Sequence, residues 1–149
     1  RKYIMNKNIK KFGIEDTQLL ASKISKRITE GSLILLNGEM GSGKTQFVRF
    51  LCDSLGVISN VSSPSFLILN KYDTKTNLEI FHFDFYRIKD SRDLEEIGFF
   101  EILESNKGVV IVEWAHIFKE LFSNKKNIID IYFNFIKDNI NLREIVVKG

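Results

Sequence analysis

The sequence predicts an α/β fold: one sheet with a parallel core and antiparallel margins, flanked by helices. Three observations carry that prediction. A continuous β-branched run, GVVIVEW at 108–114, suits a central parallel strand covered on both faces. A glycine-rich segment, GEMGSGKT at 38–45, lies between an apolar run and a stretch of helical period, the order strand, loop, helix. Two pairs of β-rich stretches, 66–72 with 78–84 and 129–135 with the residues after Asp138 and Asn139, read as antiparallel hairpins. With 149 residues, 44% of them hydrophobic, a single domain over 1–149 can bury a core of its own.

The elements follow in order. Asp16 or Thr17 caps a first helix running to about Glu30, with Leu20, Ile24 and Ile28 in a row and Gly31 as its stop. Residues 32–37, SLILLN, form a buried strand. Beyond the loop, Phe47, Leu51 and Leu55 recur every fourth residue beside Val48 and Cys52, which makes a helix that closes near Gly56. The stretch GVISNVSSPSF contains the single proline, Pro64, and reads as a surface loop. After the first hairpin, whose strands are joined by DTKTN, Asp90 or Ser91 caps one acidic helix through about Ser105. Its Leu94, Ile97 and Leu103 turn inward, and Glu95, Glu96, Glu101 and Glu104 form a solvated face. The GVVIVEW strand, a short helix and the second hairpin complete the chain. Residues 1–5 read as an extension or remnant ahead of the domain.

Composition narrows the setting. A net charge of +3 with dispersed basic residues gives little support for nucleic acid as a direct ligand. The one cysteine, Cys52, sits on an apolar helix stripe and reads as core, in keeping with a reducing compartment. No apolar run approaches the roughly 18 residues of a membrane span, and RKYIMNKNIKK offers no signal-peptide core, so a soluble cytoplasmic protein is expected.

The loop carries the chemistry. GEMGSGKT fits G-x-x-x-x-G-K-[ST], whose spacing lets backbone amides from Gly38, Glu39, Met40, Gly41, Ser42 and Gly43 surround the phosphates of a nucleotide triphosphate. Lys44 then meets the β- and γ-phosphates, and Thr45 offers a hydroxyl to magnesium. A glycine-rich turn without that role would leave Lys44 at a helix N-terminus, where a cation is disfavoured without an anion. Hydrolysis further needs a carboxylate at a neighbouring strand end. Glu113 ends VVIVE and Asp84 ends EIFHFD; both are expected in the site, Glu113 on the magnesium side and Asp84 nearby, with their division of roles open. Either could instead cap a following helix.

His82 and His116 read as structural. Arg87 has two readings, stabilising phosphate charge or pairing with the acidic helix, and Trp114 reads first as core. NKYD at 70–73 and DSLG at 53–56 match guanine-nucleotide motifs in letters but not in position, since one lies in a hairpin and the other at a helix end.

With the loop, SSPSF, HFDFYR and GVVIVEW in this order, the chain resembles the TsaE (formerly YjeE) family, small ATPases of bacterial tRNA threonylcarbamoyladenosine biosynthesis. The matching residues are 38–45, 63–66, 82–87 and Glu113 with Trp114. The resemblance implies an ATPase that uses ATP and Mg2+ and acts with a TsaB–TsaD heterodimer. It also implies a switch-like SSPSF loop in which Ser65 keeps the hydroxyl of the family's usual threonine and meets the nucleotide. Two rivals remain at this level, a small-molecule kinase and a nucleotide-gated binding module without hydrolysis.

Overall fold

A computed structural model describes residues 10–64 and 68–149; the readings placed on residues 1–5, on Ser65 and on the start of a strand at Phe66 lie outside the described residues. A short strand β1, Lys11–Phe12, runs into helix α1, Ile14–Ser25, through Gly13. Gly13 rather than Asp16 or Thr17 is the cap. Asp16 stands at the third helical position and its carboxylate accepts the Gly13 N–H at 3.0 Å, while the Thr17 hydroxyl donates to Gly13 O at 2.7 Å. The acid therefore serves the helix start from inside the first turn, one half of a capping box. The helix also stops earlier than the expected Glu30. After Ser25 the chain tightens into i→i+3 bonds, Arg27 N–H to Ile24 O and Ile28 N–H to Ser25 O, which still deliver Ile28 to the core.

Strand β2, Leu33–Gly38, leads into the glycine loop, and helix α2, Lys44–Ser54, leaves it. Gly56 ends that helix at φ +83 while the Val57 N–H returns to Cys52 O at 3.0 Å. Cys52 is fully buried, and burial pushes its thiol up to about 12. Strands β3, Leu69–Asp73, and β4, Glu79–Asp84, pair antiparallel as expected, with Asn70 and Lys71 of the NKYD tetrapeptide inside the hairpin.

The expected single acidic helix is two, α3 at Ser91–Glu96 and α4 at Phe99–Ser105. Gly98 breaks it at φ +77, a left-handed conformation that glycine reaches without a Cβ clash, and its N–H closes the first helix on Glu95 O. The bend lets both Leu94 and Phe99 enter the core, while the glutamates stay exposed. Asp90 does cap α3, its carboxylate accepting the Arg92 N–H at 2.9 Å. Strand β5, Val109–Glu113, is buried throughout; a 3-10 segment, Ala115–Phe122, replaces the expected short helix. Strands β6, Ile128–Ile136, and β7, Asn139–Lys148, close the fold as a hairpin.

The seven strands form one sheet in the order β1-β7-β6-β2-β5-β4-β3. β2 runs parallel to both β5 and β6, and β4 parallel to β5; the outer pairs are antiparallel. Two apolar layers sandwich it. On one face Ile34, Leu36, Ile111 and Ile131 pack with Phe47, Val48 and Leu51 of α2 and with α1. On the other, Leu33, Leu35, Val110 and Val112 pack with Phe83, Phe85, Phe99 and Phe122; Phe83 and Phe99 meet edge to face at 4.9 Å, while Phe85 and Phe122 lie stacked. No helix among the described residues is long and apolar enough to cross a membrane.

Candidate functional site

The parallel strands β2, β5 and β4 end at one edge of the sheet, where open α/β folds bind ligands. Register sets Leu36, two residues before the end of β2, opposite Glu113, and Glu113 opposite Asp84, the last residues of β5 and β4. Because side chains alternate along a strand, Glu113 shares a face with Ile111, and Asp84 with His82 and Ile80. That is the face covered by α2. The glycine loop rises from β2, on the side of Glu113 away from Asp84.

The loop's turn depends on close approach. A Cβ on Gly38 would come within 2.6 Å of Ser42 Oγ and 2.7 Å of Phe133 O, so no larger residue fits there. Gly43 enters α2 at φ +110, again a glycine conformation. Lys44, the first residue of α2, folds back over the loop and donates to Gly38 O and Glu39 O, with its ammonium 4.2 Å from the centre of the Trp114 ring. Burial lowers its pKa, and the neighbouring Glu113, Asp84 and Glu39 partly restore it. Met40 and Glu39 stand exposed at the crown.

Thr45 Oγ1 donates to Glu113 Oε1 at 3.0 Å, joining the helix start to the strand end across the sheet. The other carboxylate oxygen of Glu113 lies 2.6 Å from His82 Nε2. Asp84 accepts the Tyr86 N–H at 2.9 Å on Oδ1 and faces the Ser63 hydroxyl at 3.4 Å on Oδ2. Burial raises the Asp84 pKa, the Glu113 charge adds to that, and the Tyr86 N–H, His82 and Ser63 oppose it. Lys44, Thr45, Asp84 and Glu113 thus converge with Ser63, Tyr86 and Trp114 on a cleft of about 400 Å³.

The donor set has a definite chemistry. Thr45, Glu113 and Asp84 offer only oxygen atoms, and no group of three or more His, Cys, Asp or Glu side chains among the described residues is placed to hold a metal. A site with one hydroxyl and one or two carboxylates beside a phosphate cradle fits a hard cation that keeps phosphate and water among its ligands, as Mg2+ does. A nucleotide phosphate chain fits the glycine turn, the Lys44 ammonium and the α2 N-terminus.

Some sequence readings change here. Trp114, read first as core, takes a left-handed backbone at φ +59 and forms a wall of the cleft against Lys44 and Tyr86 while its other side packs on the apolar layer. His82, read as structural only, is fully buried and touches Glu113 directly. The signal was in the sequence: His82 lies two residues before Asp84 on one strand and so must share its face. His116 is exposed outside the cleft lining, as is Arg87. Arg143 was missed. It donates to Ser42 O at 3.1 Å and Gly41 O at 3.2 Å from β7, and lines with Phe12, Phe50 and Leu142 an apolar groove of about 640 Å³ that shares Gly41, Gly43 and Gln46 with the cleft. No local pattern links residue 143 to the loop a hundred positions earlier.

Residues 13–145 match the family model described as threonylcarbamoyl adenosine biosynthesis protein TsaE. A Rickettsia felis protein named tRNA threonylcarbamoyladenosine biosynthesis protein TsaE is 33% identical over 136 residues, covering 91% of this chain and 77% of that protein. A Bacillus subtilis protein of the same name is 34% identical over 106 residues, covering 71% of this chain and 65% of its own length. The crystal structure of Bacillus subtilis YdiB superposes with a TM-score of 0.64 at 26% identity, over 94% of this chain and 86% of that one.

Proposed function

Because this chain belongs to the TsaE family, we propose that it binds and hydrolyses ATP with magnesium in tRNA threonylcarbamoyladenosine biosynthesis, acting in the cytoplasm with a TsaB–TsaD pair. The observation that carries the reading is the Thr45–Glu113 hydrogen bond at 3.0 Å, which sets a hydroxyl and a carboxylate together at the mouth of the glycine loop. The loop amides and Lys44 hold the phosphates, Thr45 and Glu113 hold magnesium, and Asp84 either shares that cation or orients the attacking water. Bound magnesium supplies charge neutralisation on the phosphate oxygens. The apolar groove beside Arg143 offers the base a surface continuous with the loop.

Lys44 is the one cationic side chain among the described residues lining the cleft, so charge developing on the transferred phosphoryl is only partly matched. Hydrolysis by the isolated chain is therefore slow, and the partner pair completes the site. An ATPase assay with and without TsaB–TsaD, on the wild type and on Glu113→Ala, tests this. Stimulation by the pair that vanishes in Glu113→Ala supports the reading. ATP held intact in both conditions overturns it in favour of a nucleotide-gated binding module, and phosphorylation of a small acceptor faster than hydrolysis would make the chain a kinase.

A further inference from the structure

We propose that Tyr72 and His82 are positioning residues that tie the orientation of the Glu113 carboxylate to the path of the loop at Ser62 and Ser63. The proposal deepens the ATPase reading and rests on it for the role of Glu113. Four contacts make an unbroken chain. The Tyr72 hydroxyl lies 3.0 Å from Ser62 O and 3.0 Å from His82 Nδ1; His82 Nε2 lies 2.6 Å from Glu113 Oε2; Thr45 Oγ1 donates to Glu113 Oε1 at 3.0 Å. Tyr72, His82 and Glu113 are all buried, so water does not compete for these bonds.

Hydrogen counting gives the chain a direction. The Glu113 carboxylate can only accept, so Nε2 of a neutral His82 carries the ring hydrogen and Nδ1 presents a lone pair. The Tyr72 hydroxyl owns one hydrogen and has two acceptors at equal distance. When it turns to His82, Ser62 O keeps a donor in Asn70 Nδ2 at 3.1 Å and every group is satisfied. When it turns to Ser62, its oxygen lone pairs face the lone pair on Nδ1, and the imidazole's hold on Glu113 loosens. The position of Ser62 thus biases how firmly His82 fixes Oε2, and with it where Oε1 points. The next residue reaches the second carboxylate directly, through the Ser63 hydroxyl at 3.4 Å from Asp84. Successive residues of one loop therefore bear on both acids.

Partners that orient a metal-binding carboxylate from behind are typically worth about 10- to 100-fold in metal affinity or activity. The test uses the full chain and two substitutions, Tyr72→Phe, which removes only the hydroxyl, and His82→Gln, which keeps an N–H for Glu113 but loses the link to Tyr72. Imidazole 15N spectra at mildly alkaline pH are readable because the chain has two histidines. His82 is expected as the Nε2–H tautomer with Nδ1 accepting, and Tyr72→Phe removes the acceptor signature. The Mg2+ concentration that half-saturates the magnesium-dependent tightening of a non-hydrolysable ATP analogue rises about tenfold in both variants, with magnesium-free affinity within twofold. The opposite tautomer, a doubly protonated His82, or an unmoved Mg2+ requirement in either folded variant overturns the proposal. These readouts do not need turnover, so a wild type that binds the analogue but never hydrolyses ATP overturns the ATPase reading alone.

Discussion

On β4 and β5, Phe83 and Val112 turn toward α3 and α4 and disappear into an apolar layer, whereas their chain neighbours His82, Asp84 and Glu113 turn toward α2 and are buried with their polar groups. Strand period 2 separates the two layers by a single residue. On the apolar side, buried area and ring packing supply stability and nothing there needs a specific proton. On the α2 side the same burial desolvates Lys44 and Asp84, and both are held by particular partners. Deeper on the α2 face Ile80 and Ile111 still pack with an apolar layer, but at the strand ends burial burdens the polar groups, the pattern expected where stability is given up for a functional site.

Substitutions in the ring cluster and among the strand-end polar groups should therefore separate cleanly. Phe99→Ala should cost about 3–5 kcal/mol in denaturant unfolding, the usual loss for a buried phenylalanine, with ATP affinity of the folded fraction unchanged. Lys44→Ala should do the reverse: the unfolding midpoint holds or rises, because a desolvated cation is removed, while calorimetric ATP affinity falls by about a hundredfold or more. A Lys44→Ala protein that unfolds more easily and still binds ATP would erase the contrast.

Asp84→Asn sharpens it through pH. The folded-state pKa of Asp84 lies above its ordinary 3.8, so the folded protein holds this proton more tightly than the unfolded chain does. The charged carboxylate then penalises stability in full above the folded pKa, and the penalty fades as pH falls toward 3.8. In nucleotide-free protein the asparagine variant should be the more stable near neutral pH, with the gap closing on acidification. Thermal unfolding of both proteins across that range checks the sign.

The smallest effect belongs to the bend between α3 and α4. Gly98→Ala places a methyl group in open enough space, 3.5 Å from Glu101 Oε2, but at φ +77. Conformational strain alone should cost about 1 kcal/mol, visible as a small shift in unfolding midpoint without change in nucleotide binding.

Much of this was legible in order along the chain. GEMGSGKT specified a loop because glycine spacing and the lysine are local requirements, and VVIVE and EIFHFD placed their acids at strand ends because alternation is local too. The acidic helix was misread as one element although Leu94 and Leu103, nine residues apart, would face opposite sides of a continuous helix; the bend at Gly98 brings both to the core, with Phe99 packed against Phe83. Asp16 was misread as a cap because acids favour both the cap position, where they accept an N–H further inside, and the third helical position, from which Asp16 reaches back to the Gly13 N–H.

Local chemistry thus determined by itself where most strands and helices lie, that a glycine loop joins β2 to α2, and that Glu113 and Asp84 close their strands. Only the tertiary structure decided that β5 lies between β2 and β4, so that Glu113 meets Thr45 and His82 at once. It alone brought Arg143 to the loop carbonyls and the Ser62 backbone to Tyr72. The physical reason is range: periodicity and turn geometry act within a few residues, whereas strand order is set by how two apolar layers close over one sheet.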